Sequence, residues 1–299
     1  MQCEPPCHRG PAEPAGRKRR DGAPRGVAGP VRAGFTLVEL LVVVAIVGAL
    51  AGMLMPTLVT ARDLTERSVC QSNIRLLQLA NQLYQEAYGG YYAPGAPYMF
   101  ATPGMDDYSK VNKVRWYGVR RGYQDPFSRE GGPLSDFLTS HLVKGCPSFD
   151  DFDEGFEAGC GGYGYNNNFV GQYVVRLRSG AYKAAHGQWH LTGNRTDAFG
   201  QPSETVAFTD TAFGGPNGII EYSFCESPKW PLHPRDPVVP SIHFRHLGRT
   251  NVVWLDTHVS SEAMGSSDED FANPLIAGQA MSHRIGWFGP PTNKLFDCQ

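Results

Sequence analysis

The chain has 299 residues, 41% of them hydrophobic, with 35 Gly and 23 Pro, a composition that suits one globular domain with appendages better than several large domains. Net charge is −2, but residues 1–34 hold seven Lys or Arg against three acids, so the remainder alone carries −6. A mildly acidic remainder argues against nucleic acid as the main partner, because phosphate binding needs a basic patch and the only dense one is the run Arg17, Lys18, Arg19, Arg20.

Residues 1–34 are rich in Pro, Gly, Ala and Arg and show no apolar period, which predicts a disordered leader that is removed. From Phe35 to Leu58 the only ionisable residue is Glu39, and a helix of that length is about 30 Å long, the thickness of a bilayer's hydrocarbon core. Basic residues (Arg17 to Arg20, Arg25, Arg32) crowd its N-terminal side, while Arg62, Asp63, Glu66 and Arg67 follow it. This asymmetry predicts one membrane span with a cytoplasmic N-terminus and an exported bulk. In an oxidising compartment Cys70, Cys146, Cys160, Cys225 and Cys298 are candidates for disulfides. Five is odd, so at least one stays unpaired or pairs between chains; Cys146 with Cys160 and Cys225 with Cys298 are the candidate pairs.

After Leu58 the apolar residues Leu76, Leu79, Ala80, Leu83 and Ala87 recur at helical spacing, with Leu77, Tyr84 and Tyr88 beside them. Residues 59–90 therefore read as an amphipathic continuation of the same helix, stopping at Gly89 and Gly90. The expected rod from Phe35 to Tyr88 is about 80 Å long, with Pro56 as the expected kink. The head, residues 91–299, reads as short strands between long loops, most clearly Tyr173 to Leu177, Thr205 to Thr209, Gly218 to Tyr222 and Asn251 to Leu255. Strands and helices do not alternate, so the predicted class is α+β: an antiparallel sheet packed on a long N-terminal helix.

Glu39 is the anomaly in the apolar segment. A carboxylate at the bilayer centre costs about 2.5 to 3.5 kcal/mol on insertion scales, so it needs a shallow position or a partner. Cleavage between Gly34 and Phe35 would create a new α-amine four residues from Glu39, on the same chain or on a neighbour in a helix bundle.

Gly34 followed by "FTLVELLVVVAIVGALAGMLMP" resembles the processing signal of type IV pilins and type II secretion pseudopilins, with the glycine, the phenylalanine, the glutamate and Pro56 all in place. That resemblance implies cleavage after Gly34 by a prepilin peptidase, methylation of the Phe35 amine by the same class of enzyme, and retention of the helix as anchor and filament core among other pilin-like subunits. It also implies a pilin-like fold. The leader, at 34 residues, is longer than most in the family. An ordinary secretory signal is the alternative, since Ala49, Leu50, Ala51 forms an A-x-A site; it would leave a mature chain beginning at Gly52. Further on, "RHLGRTNVVWLDTHV", with nine residues between His246 and Asp256, is similar to the C-terminal signature of a pilin-like family described by its H-X9-DG domain. Thr257 stands where that motif has its glycine. "GCPS", "YGYN" and "ETVAFTDTA" resemble other segments of those proteins, a family without an activity to import.

His243, His246, Asp256 and His258 are donor types that suit zinc or manganese. The reading of this group is a structural clasp in which Asp256 is a turn residue and His246 bonds it from the preceding loop, with a bound metal on His246, Asp256 and His258 as the alternative. "DDFDEGFE" offers Asp151, Asp153 and Glu157 as calcium ligands, but without the spacing of an EF-hand, so a solvated acidic loop is the simpler expectation. Gly159 to Gly164 has the pattern G-x-G-G-x-G without the strand and helix that phosphate binding needs. No G-x-S-x-G or H-E-x-x-H motif occurs, and "YYAPGAPYMF" is expected to pack over a core edge rather than line a carbohydrate site. The sequence thus predicts a structural, non-enzymatic pilin-like subunit, with a membrane-tethered binding or enzymatic head that never polymerises as the alternative.

Overall fold

The structure, a computed structural model, describes residues 34–99, 108–138, 143–149, 155–184, 191–214, 218–265, 280 and 282–298. Residues 1–33 of the expected leader lie outside the described residues. The chain forms two units, Met1–Met53 and Leu54–Gln299.

One helix, α1 (Leu37–Ala87), runs through both and is continuous at Pro56. It begins two residues later than the apolar run because Thr36 caps it. Its far end closes as the two glycines demand: Gly89 and Gly90 take φ of +66° and +85°, and the Gly90 N–H reaches back to the Gln85 carbonyl at 2.8 Å. In the first unit every large apolar side chain from Leu37 to Met53 is exposed.

In the second unit α1 meets the head through a face that the apolar pattern picked out only in part, through Leu77 and Ala80. Leu76, Leu79 and Leu83 are 42%, 39% and 50% exposed, whereas Cys70, Asn73, Ile74, Leu77, Gln78, Ala80 and Asn81 are buried. Three of the seven are amides, and each is placed to bond the head. Gln78 Nε2 donates to the Leu255 carbonyl at 2.9 Å, and Asn81 Nδ2 to the Tyr165 hydroxyl at 3.1 Å. Asn81 Oδ1 accepts the Ala93 N–H at 3.0 Å, and Asn73 Nδ2 donates to the Tyr163 hydroxyl at 3.3 Å. A buried polar face is stable only when satisfied in this way.

The main sheet has four antiparallel strands: β1 (Tyr163–Tyr165), β2 (Val206–Asp210), β3 (Arg249–Trp254) and β4 (Val259–Ala263), in the order β4-β3-β2-β1. Further two-stranded ribbons surround it, among them Val174–Arg176 with Tyr182–Ala184 and Phe213–Gly214 with Ile219–Ile220. All four strands expected from the sequence are present, and the class is α+β. β1 and β4 were not foreseen. β4, "VSSEA", is a half-exposed polar edge, and β1 has Gly164 at its centre because a Cβ there would lie 2.3 Å from the Thr211 side chain. The core between sheet and helix is aromatic: Tyr165 stacks on Phe208 at 4.6 Å and Trp116 meets Phe208 edge-on at 5.3 Å. Tyr92 and residues 93–96 are buried against this core, as expected for that Tyr- and Pro-rich stretch.

The cysteine pairing differs from both candidate pairs. Cys70 of α1 is bonded to Cys146, 76 residues away, while Cys160, Cys225 and Cys298 are buried and have no disulfide partner among the described residues. Cys146 is close in sequence to Cys160, but its segment is stapled to α1: Asn73 Nδ2 also reaches the Gly145 carbonyl and Ser148 Oγ donates to Glu66. That places its sulfur against the helix. Closing a loop of this length corresponds to about 4 kcal/mol in the chain-entropy account of disulfides.

Candidate functional site

At the N-terminus the functional side chains are set by one local device. The Glu39 carboxylate accepts from the Thr36 backbone N–H and from the Thr36 hydroxyl, both at 2.8 Å, and the Glu39 N–H donates to Thr36 Oγ1 at 3.2 Å. This is a capping box, in which two of the helix's orphan donors are satisfied reciprocally. Thr36 was missed by the sequence reading, although T-x-x-E before an apolar run is its recognised signal. Gly34, Phe35 and Glu39 are exposed, and a Cβ on Gly34 would meet nothing within 4 Å. Pro56 lies inside α1 and has no N–H to give to the helix.

The H-X9-DG-like segment is a single strand with its two turns. His246 and Arg249 exchange backbone hydrogen bonds at 3.0 and 3.1 Å across Leu247 and Gly248, whose φ values are +55° and +78°. Positive φ at both central residues is a type I′ turn, the two-residue connection that matches strand twist. At the other end of β3, Asp256 Oδ1 accepts the His258 N–H at 3.2 Å and sits 2.6 Å from His258 Nδ1, and Thr257 has φ +74°. Asp256 is therefore the turn residue that was expected. Thr257 occupies the left-handed position for which a glycine is suited and a β-branched residue is not.

The expected clasp between His246 and Asp256 is corrected by this geometry. Six strand residues separate the two turns by roughly 20 Å, so His246 cannot share a ligand or a bond with Asp256 or His258. His258 instead stacks on Trp254 at 5.5 Å, at the surface. His246 is paired with Asp210, at the end of β2: its Nε2 is 3.3 Å from Oδ2, and the same nitrogen is 3.6 Å from Cys146 Sγ. Asp210 Oδ2 also accepts the Asn251 N–H at 2.7 Å. Arg245 lies beside this group, donating to the Gly162 and Thr211 carbonyls and 3.9 Å from Asp210 Oδ1. His243 is buried nearby, and desolvation, with Arg245 and His246 adding to it, pushes its imidazole well below the ordinary range, so that it stays neutral. Asp210 was visible in "ETVAFTDTA", but nothing in the sequence linked it to His246.

Of the candidate calcium ligands, Asp151 and Asp153 lie outside the described residues. Glu157 is not a solvated loop residue: it forms a buried ion pair with Arg115, whose Nη2 is 2.6 Å from Oε1, and its Oε2 accepts the Ser223 hydroxyl at 2.7 Å. Its bonding capacity is taken up by the core. The glycine loop does cradle an anion, but the protein's own: the Glu221 carboxylate accepts the N–H groups of Gly159 and Gly161.

Residues 30–55 match the family model of the prokaryotic N-terminal methylation motif. The match spans the capping box and supports the pilin-like signal. Searches of curated proteins and of solved structures found no significant match. α1 is the one helix, among the described residues, long and apolar enough to cross a membrane by length and composition. An apolar N-terminal helix with this motif is consistent with an inner-membrane anchor.

Proposed function

We propose that the chain is a pilin-like structural subunit, cut after Gly34 by a prepilin peptidase, methylated on Phe35 and assembled through residues 35–58 into a type IV pilus or a type II secretion pseudopilus. The observation that carries this reading is the lone Glu39 carboxylate at the head of an otherwise apolar, wholly exposed helix face within the methylation motif. Before assembly the capping box lowers the cost of that charge by giving it two donors. In a bundle, the new amine of Phe35, from the same chain or a neighbour, is the stronger partner and sets axial register. The basic residues before the helix favour a cytoplasmic N-terminus and an exported head. The head acts here as a structural element, a role supported by the buried pairing of His246 with Asp210, which ties its H-X9-DG-like segment to the neighbouring strand. A tethered head that never polymerises would use the same signal.

Mass spectrometry of the mature N-terminus and electron microscopy of the same preparation test the proposal. A methylated Phe35 together with fibres that disappear on Glu39→Ala, the head staying folded, is the expected result. A mature chain starting at Gly52 overturns it, and methylated chains that form no fibres favour the non-polymerising head.

A further inference from the structure

Four donors from four elements converge beneath α1. Cys70 comes from the helix, Cys146 from the segment stapled to it, Asp210 from the end of β2 and His246 from the turn before β3. The two sulfurs and the imidazole nitrogen lie within 4.8 Å of one another, and the side chains of His246 and Asp210 are 1% and 0% exposed. Around a tetrahedral zinc ion a thiolate sulfur and an imidazole nitrogen are about 3.6 Å apart, and the nitrogen and a carboxylate oxygen about 3.3 Å. The separations found about His246 Nε2 are 3.6 Å to Cys146 Sγ and 3.3 Å to Asp210 Oδ2. Two edges of a zinc tetrahedron are thus in place while the sulfurs are joined.

A buried acceptor is also left over. Among the described residues Asp210 Oδ1 accepts no hydrogen bond although it is buried. Buried polar atoms are normally satisfied, so an open carboxylate oxygen beside two sulfurs and an imidazole calls for an explanation. Charge supplies a second argument. With the disulfide closed, Asp210 and Arg245 balance. With two thiolates, Asp210, Arg245 and a divalent ion the sum is again zero, which is the condition for burying the cluster at all.

We propose that Cys70, Cys146, His246 and Asp210 bind one Zn²⁺ when the disulfide is reduced, metal and disulfide being alternative ways of closing the same clamp. A dithiol reductant delivers two electrons and two protons to the S–S bond, giving two thiols and leaving itself as a disulfide. Zinc then displaces both thiol protons to solvent and bonds the thiolates, His246 Nε2 and one Asp210 oxygen. Thiolate and imidazole donors select zinc over calcium or magnesium, and the Asn251 N–H holds the Asp210 carboxylate in place from outside the coordination sphere. On the proposed export route, the metal would hold the head on α1 until the thiols reach an oxidising compartment.

The test uses the full chain in detergent, reduced with a dithiol, freed of reductant under anaerobic conditions and given Zn²⁺; it does not depend on N-terminal processing. The expected result is about one zinc per chain after gel filtration, a higher melting temperature than the metal-free reduced chain, and no zinc on the oxidised chain. His246→Ala should weaken binding by at least 10- to 100-fold, and Cys70→Ser with Cys146→Ser should abolish it. Circular dichroism reports whether each variant folds. If the serine variant does not, cobalt in the reduced wild type decides through its thiolate charge-transfer band, whose absence overturns the site. A reduced chain without zinc, or undiminished zinc in a folded His246→Ala variant, overturns it equally, the latter pointing to Cys3, Cys7, Cys160, Cys225 or Cys298.

Discussion

Glu39 and Thr36 bond each other three times, twice with the Glu39 carboxylate as acceptor and once with the Glu39 backbone N–H as donor. The cap and the charge are therefore separate properties of one side chain, and they can be separated experimentally. Glutamine also serves in a capping box, so Glu39→Gln should start the helix normally and insert in the membrane while failing to enter filaments. Thr36→Ala should do the reverse, keeping assembly while losing about 1 kcal/mol of helix stability. Counting fibres and membrane-bound subunits for both variants checks this; Glu39→Gln filaments at wild-type abundance would refute a role for the charge.

Thr257 is strained at φ +74°. Thr257→Gly should stabilise the head by about 1 kcal/mol, because a β-branched residue at positive φ costs energy that glycine does not. Thermal unfolding of the two proteins measures it. A melting temperature that drops would mean that the side chain contributes more than its backbone costs.

The Arg115 and Glu157 side chains are each 3% exposed. Removing one partner leaves a buried, uncompensated charge, so Glu157→Ala should destabilise the head by about 3 to 5 kcal/mol. Replacing the pair together, Arg115→Met with Glu157→Leu, should recover most of that loss. Denaturant titration of the single and double variants tests both statements, and a single variant within about 0.5 kcal/mol of wild type would show that solvent reaches the pair.

Burial raises the Glu226 carboxyl above its usual 4.5, although the Tyr222 hydroxyl and the Asn168 amide that bond it pull it back. An acid with a raised folded pKa holds its proton longer when folded, so stability is lost as pH rises from the unfolded value through the folded one. Glu226→Gln removes that titration. The melting temperature of the variant relative to wild type should therefore climb as pH rises from the unfolded value through the raised folded one and then level off; a difference independent of pH would contradict the shift.

The α+β class, the helix with its glycine stop, the processing motif and four of the strands could be read from the residues because each depends on neighbours in the chain: apolar period, turn residues, a carboxylate four positions from a new amine. The face of α1 that packs on the head could not. Beside Leu77 and Ala80 it is built on Asn73, Gln78 and Asn81, which look solvent-facing until the carbonyls and hydroxyls that satisfy them are known, while Leu76, Leu79 and Leu83 of the apolar pattern are exposed. Nor could the partner of His246. Nine residues of spacing suggested Asp256, but an extended strand carries that aspartate roughly 20 Å away, and antiparallel pairing brings Asp210 from the neighbouring strand instead. Sequence settled what lies within a turn or two of each residue. Which buried polar groups meet, Cys70 with Cys146 and His246 with Asp210, was decided only by packing, because hydrogen bonds and disulfides depend on distance in space and the chain's order does not encode it.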